Sequence, residues 1–446
     1  MAKIPYLHID SIIPFELLQR SEEGIDVMIL RDRWERIVSE GEKVAEAEKW
    51  ALYDELTRLP VPDHLKIDEP DELSKIRSMC PSVSSKTPRI RLSPAEISDR
   101  IAGGWFARCA GCLLGKPVEK IPRSGIREIL ESNHTWPLTD YITARGIPAE
   151  VMQNYSWNRH SGVESLRENI TCMPEDDDIN YTLLNLYVAE TFGYDFTTEY
   201  IADSWLSMLP VLSTFTAERV AYVNYLHGIQ PPATASIKNP FREWIGAQIR
   251  ADLWGWIAPG DPVYAAELAW RDARLSHCRN GIYAEMFYAA VIAAAFTTDD
   301  PEDLLAIGLS QIPQGSRFSY AIRETISICK NEAEWEAIVD RLYERFGRYH
   351  WVHAINNGAL VAAALLNSAG DYERAICQAV MAGWDTDCNG ATVGSIIGTI
   401  LGAKRLPGKW IAPLNNRIRS SLKGFDNVSI DEVVYRTAKL ATNKDK

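Results

Sequence analysis

The stretch GWDTDCNGATVGSIIGTILGA, residues 383–403, decides the fold predicted for this chain. Glycines recur in it at 394, 398 and 402, a spacing that places them on one face of a helix. Each glycine inside a helix costs about 1 kcal/mol relative to alanine, so the pattern indicates a helix whose backbone packs closely on a neighbour. The apolar run 391–403 is shorter than the roughly 20 residues of a membrane span, which favours a buried core helix.

A second segment offers a partner for that helix. Its small residues are Gly103, Gly104, Gly111 and Gly115. Elsewhere from Ser93 onward apolar residues recur with helical spacing, notably in 181–190, 265–273, 283–296 and 359–366. Helix starts such as Asp300-Pro301 and stops such as Gly193 and Gly383 separate these segments, and alternating strand patterns are scarce. The sequence therefore predicts an all-α fold.

The first 92 residues differ from the rest. Residues 31–57 show amphipathic, acidic helix patterns, and a segment punctuated by prolines follows. These prolines are Pro60, Pro62, Pro70, Pro81 and Pro88. Ser93-Pro94-Ala95-Glu96 then supplies an N-cap serine, a proline in the first turn and a capping-box glutamate. We therefore predict an N-terminal helical extension over 1–92 on a main domain of residues 93–446.

The composition is that of a folded globular protein. Among 446 residues, 46% are hydrophobic and 24% are charged. The net charge of −13, with scattered Lys and Arg, argues against duplex nucleic acid as a partner. Eight cysteines are too few for a disulfide scaffold at this length, and the opening MAKIPYLHID lacks a secretion-signal pattern. We expect a cytoplasmic protein that does not enter a membrane, with its oligomeric state left open.

Three consecutive aspartates, Asp176, Asp177 and Asp178, follow Glu175 at the start of a predicted helix. Acidic side chains suit a helix N-terminus because they interact favourably with the helix dipole, and this accounts for one or two of them. Four in a row repel one another, and successive helical residues point about 100° apart, so they fan around the helix end. A hard cation at this end would relieve the repulsion.

Asp385 and Asp387 form a second acidic turn, between a helix that ends near Ala382 and the glycine-faced helix. A helix cap or an Asx turn accounts for one of the two carboxylates. Since neither acidic turn is balanced by a Lys or Arg nearby in sequence, we predict that together they hold a metal. Oxygen ligands favour Mg²⁺, Mn²⁺ or Ca²⁺ over Zn²⁺.

Other polar residues lie in apolar helical segments. Cys109 and Cys112 form a lone C-x-x-C pair without further ligands at metal spacing, which is more typical of small core residues than of zinc or redox chemistry. The remaining polar residues of this kind are His277, His350, His353, Asn356 and Asn357. They are equally consistent with hydrogen-bonded core positions and with the lining of a pocket.

The two acidic turns, preceded by a glycine motif, resemble those of the ADP-ribosylglycohydrolase family of the dinitrogenase-reductase-activating glycohydrolase type. The family's G-D-x-x-G-x-x-x-E, T-D-D-T-like and G-x-D-T-D-[ST] motifs resemble, in order, residues 111–119, 176–182 and the start of 383–398. The resemblance spans about 95 to 425. It implies a compact, orthogonal multi-helix bundle around a site for two Mg²⁺ or Mn²⁺ ions.

Carried over residue by residue, the resemblance implies a set of metal ligands: Asp176, Asp177, Asp178, Asp385 and Asp387. Asp176 would stand at the family's threonine position. A register one residue earlier, starting at Glu175, is the alternative, although Asn180 and Thr182 fit the later register better. Glu119 matches the family's glutamate near the scissile bond.

The resemblance implies hydrolysis of an N- or O-glycosidic bond to ribose or ADP-ribose. The substrate would be a modified protein, a nucleoside-like compound or a small metabolite. Glu119 would act as general base or as electrostatic support for an oxocarbenium-like transition state. The candidate substrate-binding residues are Gly115, Arg250, His277, His353 and Asn356.

Three departures from the family pattern qualify these expectations. Cys112 replaces the aspartate of the opening motif and Cys388 replaces a hydroxyl ligand, so one metal position is expected to be altered or weak. The family has a phosphate-facing G-N-G-x-x-M-R stretch, of which residues 244–250 keep only a glycine and Arg250. This difference argues against recognition of a diphosphate.

Two alternative functions stay open at this point. The cysteine replacements are also consistent with a catalytically inactive member of the same fold that binds ADP-ribose or another ribosyl ligand. Residues 176–180 resemble, in addition, the aspartate-rich motif of class I terpenoid synthases, which are likewise all-α and Mg²⁺-dependent. Those enzymes carry their second metal motif within a helix, whereas Asp385 and Asp387 lie in a predicted turn.

Overall fold

The structure is a computed structural model that describes residues 4–41, 45–81 and 92–442. Within these ranges the chain forms 23 α-helices. They are α1 Ile9–Glu22, α2 Met28–Glu40, α3 Glu46–Arg58, α4 Asp63–Asp68, α5 Leu73–Met79, α6 Pro94–Gly115, α7 Arg123–Ser132, α8 Ala149–Met152, α9 Arg159–Glu164, α10 Asp177–Phe192, α11 Thr198–Met208, α12 Thr216–Leu226, α13 Ala251–Trp256, α14 Pro262–Ala273, α15 Asn280–Ala294, α16 Pro301–Leu309, α17 Arg317–Asn331, α18 Trp335–Phe346, α19 Ala354–Asn367, α20 Tyr372–Met381, α21 Thr386–Leu401, α22 Gly408–Ile411 and α23 Ile430–Thr442.

Strand structure is confined, in the described ranges, to one two-stranded antiparallel sheet and two isolated bridges. β1 (Arg417–Ile418) pairs with β2 (Val428–Ser429). The prediction of an all-α fold is confirmed. No helix in the described ranges is both long and apolar enough to cross a membrane.

The predicted helix boundaries correspond to real caps. Ser93 forms the expected capping box with Glu96 at the start of α6, and Asp300 caps α16 by accepting from two backbone amides. Gly193 ends α10 with φ +69°. The four apolar periodic segments lie within α10, α14, α15 and α19, with only the end of 283–296 extending beyond its helix. Capping and periodicity are local properties, so the sequence alone locates these elements.

α6 and α21 form the central antiparallel pair, with the end of α6 beside the start of α21. Gly115 meets Thr386 at one end of the contact, and Gly103 meets Gly398 at the other. A Cβ on Gly103 or Gly115 would collide with the backbone of α21, so only glycine permits this approach. Gly402, predicted on the same face, instead lies just beyond α21 with φ +76°. The close packing fixes the start of α21 against the end of α6.

The residues before α6 form α1 to α5, and α2 and α3 correspond to the helix patterns predicted over 31–57. α1 and α3 share a small apolar core that includes Ile13, Leu52 and Leu56. Phe15 of α1 packs on the main body, and the centroid of its ring lies 5.4 Å from the ring centroid of Trp244. Pro88 and the end of the predicted extension, 82–91, lie outside the described residues. The division at residues 92 and 93 stays a prediction.

Candidate active site

The candidate site lies where the end of α6, the start of α10 and the start of α21 meet. Gly115 marks this junction, because its carbonyl accepts a 2.8 Å hydrogen bond from Thr386 Oγ1. A short 3-10 helix, Lys116–Val118, follows α6 and leads into Glu119. The glycine motif thus brings the opening motif against the second acidic turn, and Gly115 itself is buried in the helix contact.

The first acidic turn is divided between three environments. Asp176 is the N-cap of α10 and accepts from the Asp178 backbone amide at 3.0 Å. Asp178 is buried and pairs with the Arg108 guanidinium at 3.2 Å, while the Cys388 thiol donates to its other oxygen at 3.2 Å. Asp177 is half-buried and lines the cavity described below. Arg108, which the sequence did not suggest, therefore balances part of this charge.

The second acidic turn is held by amide side chains. Asn357 Oδ1 accepts from the Asp385 backbone amide at 3.1 Å and from Asn389 Nδ2 at 2.7 Å. Trp384 adopts φ +57°, which turns the chain sharply before α21. Asp385 and Asp387 are both buried, with exposures of 4% and 2%. Asn357, one of the polar residues of α19 noted in the sequence, is thus a fixed support for the site.

Lys116 lies among the carboxylates of both turns. Its ammonium donates to Asp387 Oδ2 at 2.7 Å, pairs with Asp176 Oδ2, and lies 3.3 Å from Glu119 Oε2. Its side chain is almost completely buried, at 5% exposure. The sequence motif contains this lysine, but nothing in the local pattern indicated that its ammonium would point inward.

The electrostatics of the site follow from these pairs. Burial alone would lower the pKa of Lys116, but Asp176, Asp387 and Glu119 together raise it well above its ordinary value. Burial opposes ionisation of Asp387 as well, and Lys116 nevertheless holds the pKa of that carboxyl below its usual range. Asp385 differs, because burial and the neighbouring Asp387 carboxylate raise its pKa well above the usual range. Lys116 is therefore a fixed positive charge, and no comparable cation pairs with Asp385 in the part of the chain that the structure describes.

Two overlapping groups of side chains in the described ranges place ligand atoms within 4.8 Å of one another, as a metal site requires. The first group is Cys112, Asp176, Asp178 and Asp387; the second is Asp385, Asp387 and Cys388. The side chains of Asp385 and Asp387, which belong to the second group, share a hydrogen bond. In the first group, Lys116 pairs with Asp176 and Asp387, and Arg108 pairs with Asp178. In the second group, Asp385 has no such ion pair among the described residues.

Glu119 lies at the rim of the same cluster, at 9% exposure. Its Oε2 accepts from Asn158 Nδ2 and contacts Lys116. Asn158 is in turn held by Lys120 Nζ, 3.1 Å from its Oδ1. Asn158 directly precedes α9 and gave no signal in the sequence, because its role depends on contact with a segment 39 residues away. The carboxylate of Glu119 is thus oriented by two donors.

A cavity of about 200 Å³ opens beside the cluster. Five acidic residues line it: Glu119, Asp177, Glu218, Asp385 and Asp387. Aromatic side chains form much of the remaining wall, and Tyr6 and Phe15 among them come from the segment before α6. The sequence did not suggest these two residues, because no motif around them distinguishes a cavity-lining aromatic side chain from any other. The cavity thus has carboxylates at one end and aromatic side chains along its wall.

Arg250 and His277 are not among the residues that line this cavity. The Arg250 guanidinium is fully buried among Glu218, Asp272 and Glu285, at 3.2, 3.1 and 3.5 Å. His277 is buried beside it, and burial lowers its pKa well below the usual value. The structure therefore does not bring these two predicted substrate-binding residues to the cavity. Arg250 is held by protein carboxylates instead of facing an open phosphate position.

His353 and Asn356, the other predicted substrate-binding residues, are also buried at the start of α19. His353 Nδ1 accepts from the Ile355 backbone amide at 3.1 Å, and its Nε2 lies 4.0 Å from Glu22 Oε2. Asn356 Nδ2 donates to the His350 carbonyl at 3.2 Å. Neither lines the cavity, whereas the neighbouring His350 does. Both residues position the loop that carries His350.

Comparison with known proteins identifies a family. A family model described as ADP-ribosylglycohydrolase matches residues 93–440. Among solved structures, one titled "ADP-ribosylglycohydrolase-related protein complex" is 20% identical, with a TM-score of 0.49. The alignment covers 78% of this chain and 98% of that one. A search of curated proteins found no match.

Proposed function

Because the chain belongs to the ADP-ribosylglycohydrolase family, a family of glycohydrolases, we propose that it hydrolyses a glycosidic bond to ribose. The observation that carries this proposal is the position of Glu119 beside Asp387 and Lys116 at one end of a cavity. Family membership also removes the reason to retain a terpenoid synthase, whose likeness was confined to Asp176–Asn180.

We propose that the site holds one divalent ion, Mg²⁺ or Mn²⁺, at Asp385 and Asp387 with Asp177 nearby. The support is the direct contact of two buried carboxyls, Asp385 and Asp387, and the raised pKa of Asp385, which burial and Asp387 cause. Carboxylate oxygens are ligands that both ions accept. When bound, such an ion would polarise ribose hydroxyls and a water molecule.

We further propose that the Lys116 ammonium takes the place of the second ion implied by the family resemblance. It pairs with Asp176 and Asp387, so the buried charge that a second ion would neutralise already has a cation. Cys112, at the family's aspartate position, has its thiol pKa raised well above the usual value by burial and the neighbouring carboxylates. A neutral thiol is a weaker ligand for a hard cation than a carboxylate. The residues present thus fit one ion better than two.

In the proposed reaction Glu119 accepts a proton from the attacking water. The water oxygen bonds to C1 of ribose, the bond from C1 to the leaving group breaks, and the leaving group is protonated from solvent. Asn158 and Lys116 hold the Glu119 carboxylate in place. A positioned general base contributes about 10² to 10⁴-fold to such a step.

The test uses the full chain with Mg²⁺ or Mn²⁺ and a panel of ribosides and ADP-ribosylated compounds, with released ribose or ADP-ribose measured by mass spectrometry. We expect metal-dependent turnover that Asp385→Ala abolishes. Asp54→Ala, at an exposed position of α3, is the matched control and should retain activity. Undiminished turnover by Asp385→Ala would overturn the proposed site.

A second candidate function is binding of a ribosyl ligand without catalysis. It is favoured by the lysine among the carboxylates and by Cys112 and Cys388 at family ligand positions. Calorimetry with ribose and ADP-ribose distinguishes the two functions. Binding without turnover on any compound of the panel would support this candidate over the hydrolase.

A further inference from the structure

The segment before α6 forms part of the cavity wall. Tyr6 and Phe15 line the cavity together with Trp244. The Phe15 ring lies 5.0 Å from Phe241 and 5.4 Å from Trp244 between centroids, and the Tyr6 ring lies 5.5 Å from Phe241. The family match begins only at Ser93. This wall is therefore an addition to the part of the chain that the family model covers.

The aromatic surface continues on the main body. His350 stacks on Trp244 with 4.3 Å between centroids and an interplanar angle of 6°. Burial lowers the pKa of His350 to about 4, so its ring is neutral at physiological pH. Phe215 and Trp351 also line the cavity. Flat, uncharged rings on several sides offer a surface on which a planar group can stack.

The wall is firmly fastened to the main body. Glu16 of α1 pairs with the Arg242 guanidinium at 2.8 Å, and Glu23 pairs with the same guanidinium at 2.8 Å. Gln19, between them, donates to Glu243 Oε1 at 3.0 Å. These side chains are buried, and removing one partner of a buried ion pair is strongly destabilising. α1 is thus a constant part of the cavity.

The charges that line the cavity disfavour a diphosphate. Five acidic residues face two lysines, and one of these, Lys116, already has three carboxylate partners. Glu218 lies against Gly246, where a Cβ would collide with its carboxylate, in the stretch that corresponds to the family's phosphate-facing segment. Arg250, the one cationic residue kept from that segment, is paired with Glu218. A diphosphate here would lie beside the carboxylates of Glu119 and Asp387, and it would find the cations of Lys116 and Arg250 already paired.

From this geometry we propose that the substrate is a phosphate-free riboside with a planar aromatic leaving group, a nucleoside-like compound. Its ribose lies at the carboxylate end beside Glu119 and Asp387, and its planar group lies against Phe15, Trp244 and His350. This inference rests on the proposed function, and it narrows the substrate to a small compound. The segment before α6 is then a specificity determinant of the enzyme.

Calorimetry with the full chain and four probes tests the inference: adenosine, ADP-ribose, methyl riboside, and p-nitrophenyl riboside, the two ribosides as both anomers. We expect adenosine and p-nitrophenyl riboside to bind at least about tenfold more tightly than methyl riboside and ADP-ribose, since stacking of one base on an aromatic side chain contributes an effect of about this size. Phe15→Ala should weaken binding of the two aromatic probes about tenfold and leave methyl riboside unchanged. Tyr435→Ala, an exposed aromatic position at 65% exposure, is the control.

Tighter binding of ADP-ribose than of adenosine would overturn the inference and leave the proposed hydrolase intact. Equal effects of Phe15→Ala on p-nitrophenyl and methyl ribosides would also overturn it. If the aromatic probes bind as expected but no riboside is hydrolysed, the ligand class is supported and the hydrolase proposal fails. Binding and turnover are measured separately, so the two failures are distinguishable.

Discussion

The ammonium of Lys116 lies 2.7 Å from Oδ2 of Asp387, although the two residues are 271 positions apart in the chain. Asp176 completes this arrangement from the start of α10, so one lysine joins all three segments of the candidate site. A charge buried without partners costs far more than a paired one, and the carboxylates and the ammonium therefore stabilise each other. The candidate site therefore contains a cation of the protein itself, unlike a site in which metal ions alone neutralise the carboxylates.

Removal of the Lys116 ammonium should create room for a second ion. We expect Lys116→Ala to bind two Mn²⁺ per chain and the wild type to bind one, as measured by equilibrium dialysis with elemental analysis. Without metal, Lys116→Ala should lose about 3–5 kcal/mol of unfolding free energy, because Asp176 and Asp387 are left without their cation. Added Mn²⁺ should restore much of that loss, since an ion that binds only the folded state stabilises it.

Lys120→Ala is the control for this experiment. Lys120 is close to Lys116 in sequence, but its side chain is 45% exposed and its ammonium lies 3.8 Å from Glu119. We expect its metal content to equal that of the wild type. Two ions in the wild type would show that Lys116 does not replace a metal.

Substitution of Glu119 should act on the chemical step. We expect Glu119→Gln to lower kcat about 10² to 10⁴-fold with little change in KM, because the shape and the hydrogen bond from Asn158 are retained while the base is lost. Asn158→Ala should lower kcat less, since it removes only an orienting donor. Steady-state kinetics on the best riboside measures both, with Glu150→Gln, at an exposed position of α8, as control. Full activity of Glu119→Gln would reject it as the base.

Glu22 should make the stability of the protein depend on pH. Its Oε1 accepts from the His350 backbone amide at 2.5 Å, while Oε2 is buried without a hydrogen-bond donor in the described ranges. Burial raises the pKa of Glu22 from 4.5 to about 8; the His350 amide and Arg317 oppose this shift, and Glu243 and Glu23 add to it. The folded state therefore holds this proton more tightly than the unfolded state does. The stabilisation is complete below about pH 4.5 and is lost as the pH rises towards about 8.

Glu22→Gln keeps the neutral form at every pH and should remove this dependence. We expect the difference in Tm, variant minus wild type, to increase between about pH 5 and about pH 8. Thermal unfolding measures it, with Glu40→Gln at an exposed position of α2 as control. A difference that does not change with pH would show that Glu22 is ionised in the folded state.

The α6–α21 contact should not tolerate a methyl group. A Cβ on Gly111 would collide with the Gly390 carbonyl, which belongs to the backbone and cannot rotate away. We expect Gly111→Ala to lower the unfolding free energy by at least about 1–3 kcal/mol, despite the better helix propensity of alanine. Gly408→Ala, whose added Cβ would meet no atom within 4 Å, should be close to neutral. Denaturant unfolding compares the two, and equal stabilities would contradict the close packing.

Much of the fold was predictable because its signals are local. The capping box at Ser93, the glycine spacing in α21 and the apolar periodicity of α15 each lie within one element, where a residue's neighbours in sequence are its neighbours in space. The two acidic turns were located for the same reason, since each begins a helix. Their meeting beside Glu119 followed from the order of motifs in a known family.

The sequence by itself determined the all-α architecture and the acidic turns that define the site. Only the tertiary structure decided that the Lys116 ammonium lies among the carboxylates. It also decided that Arg250 forms ion pairs with Glu218 and Asp272, and that Phe15 lines the cavity. The physical reason is that the state of a charge depends on burial and on its partners, and these partners come from distant segments of the chain. A lysine looks the same in sequence whether its ammonium is in water or enclosed by three carboxylates.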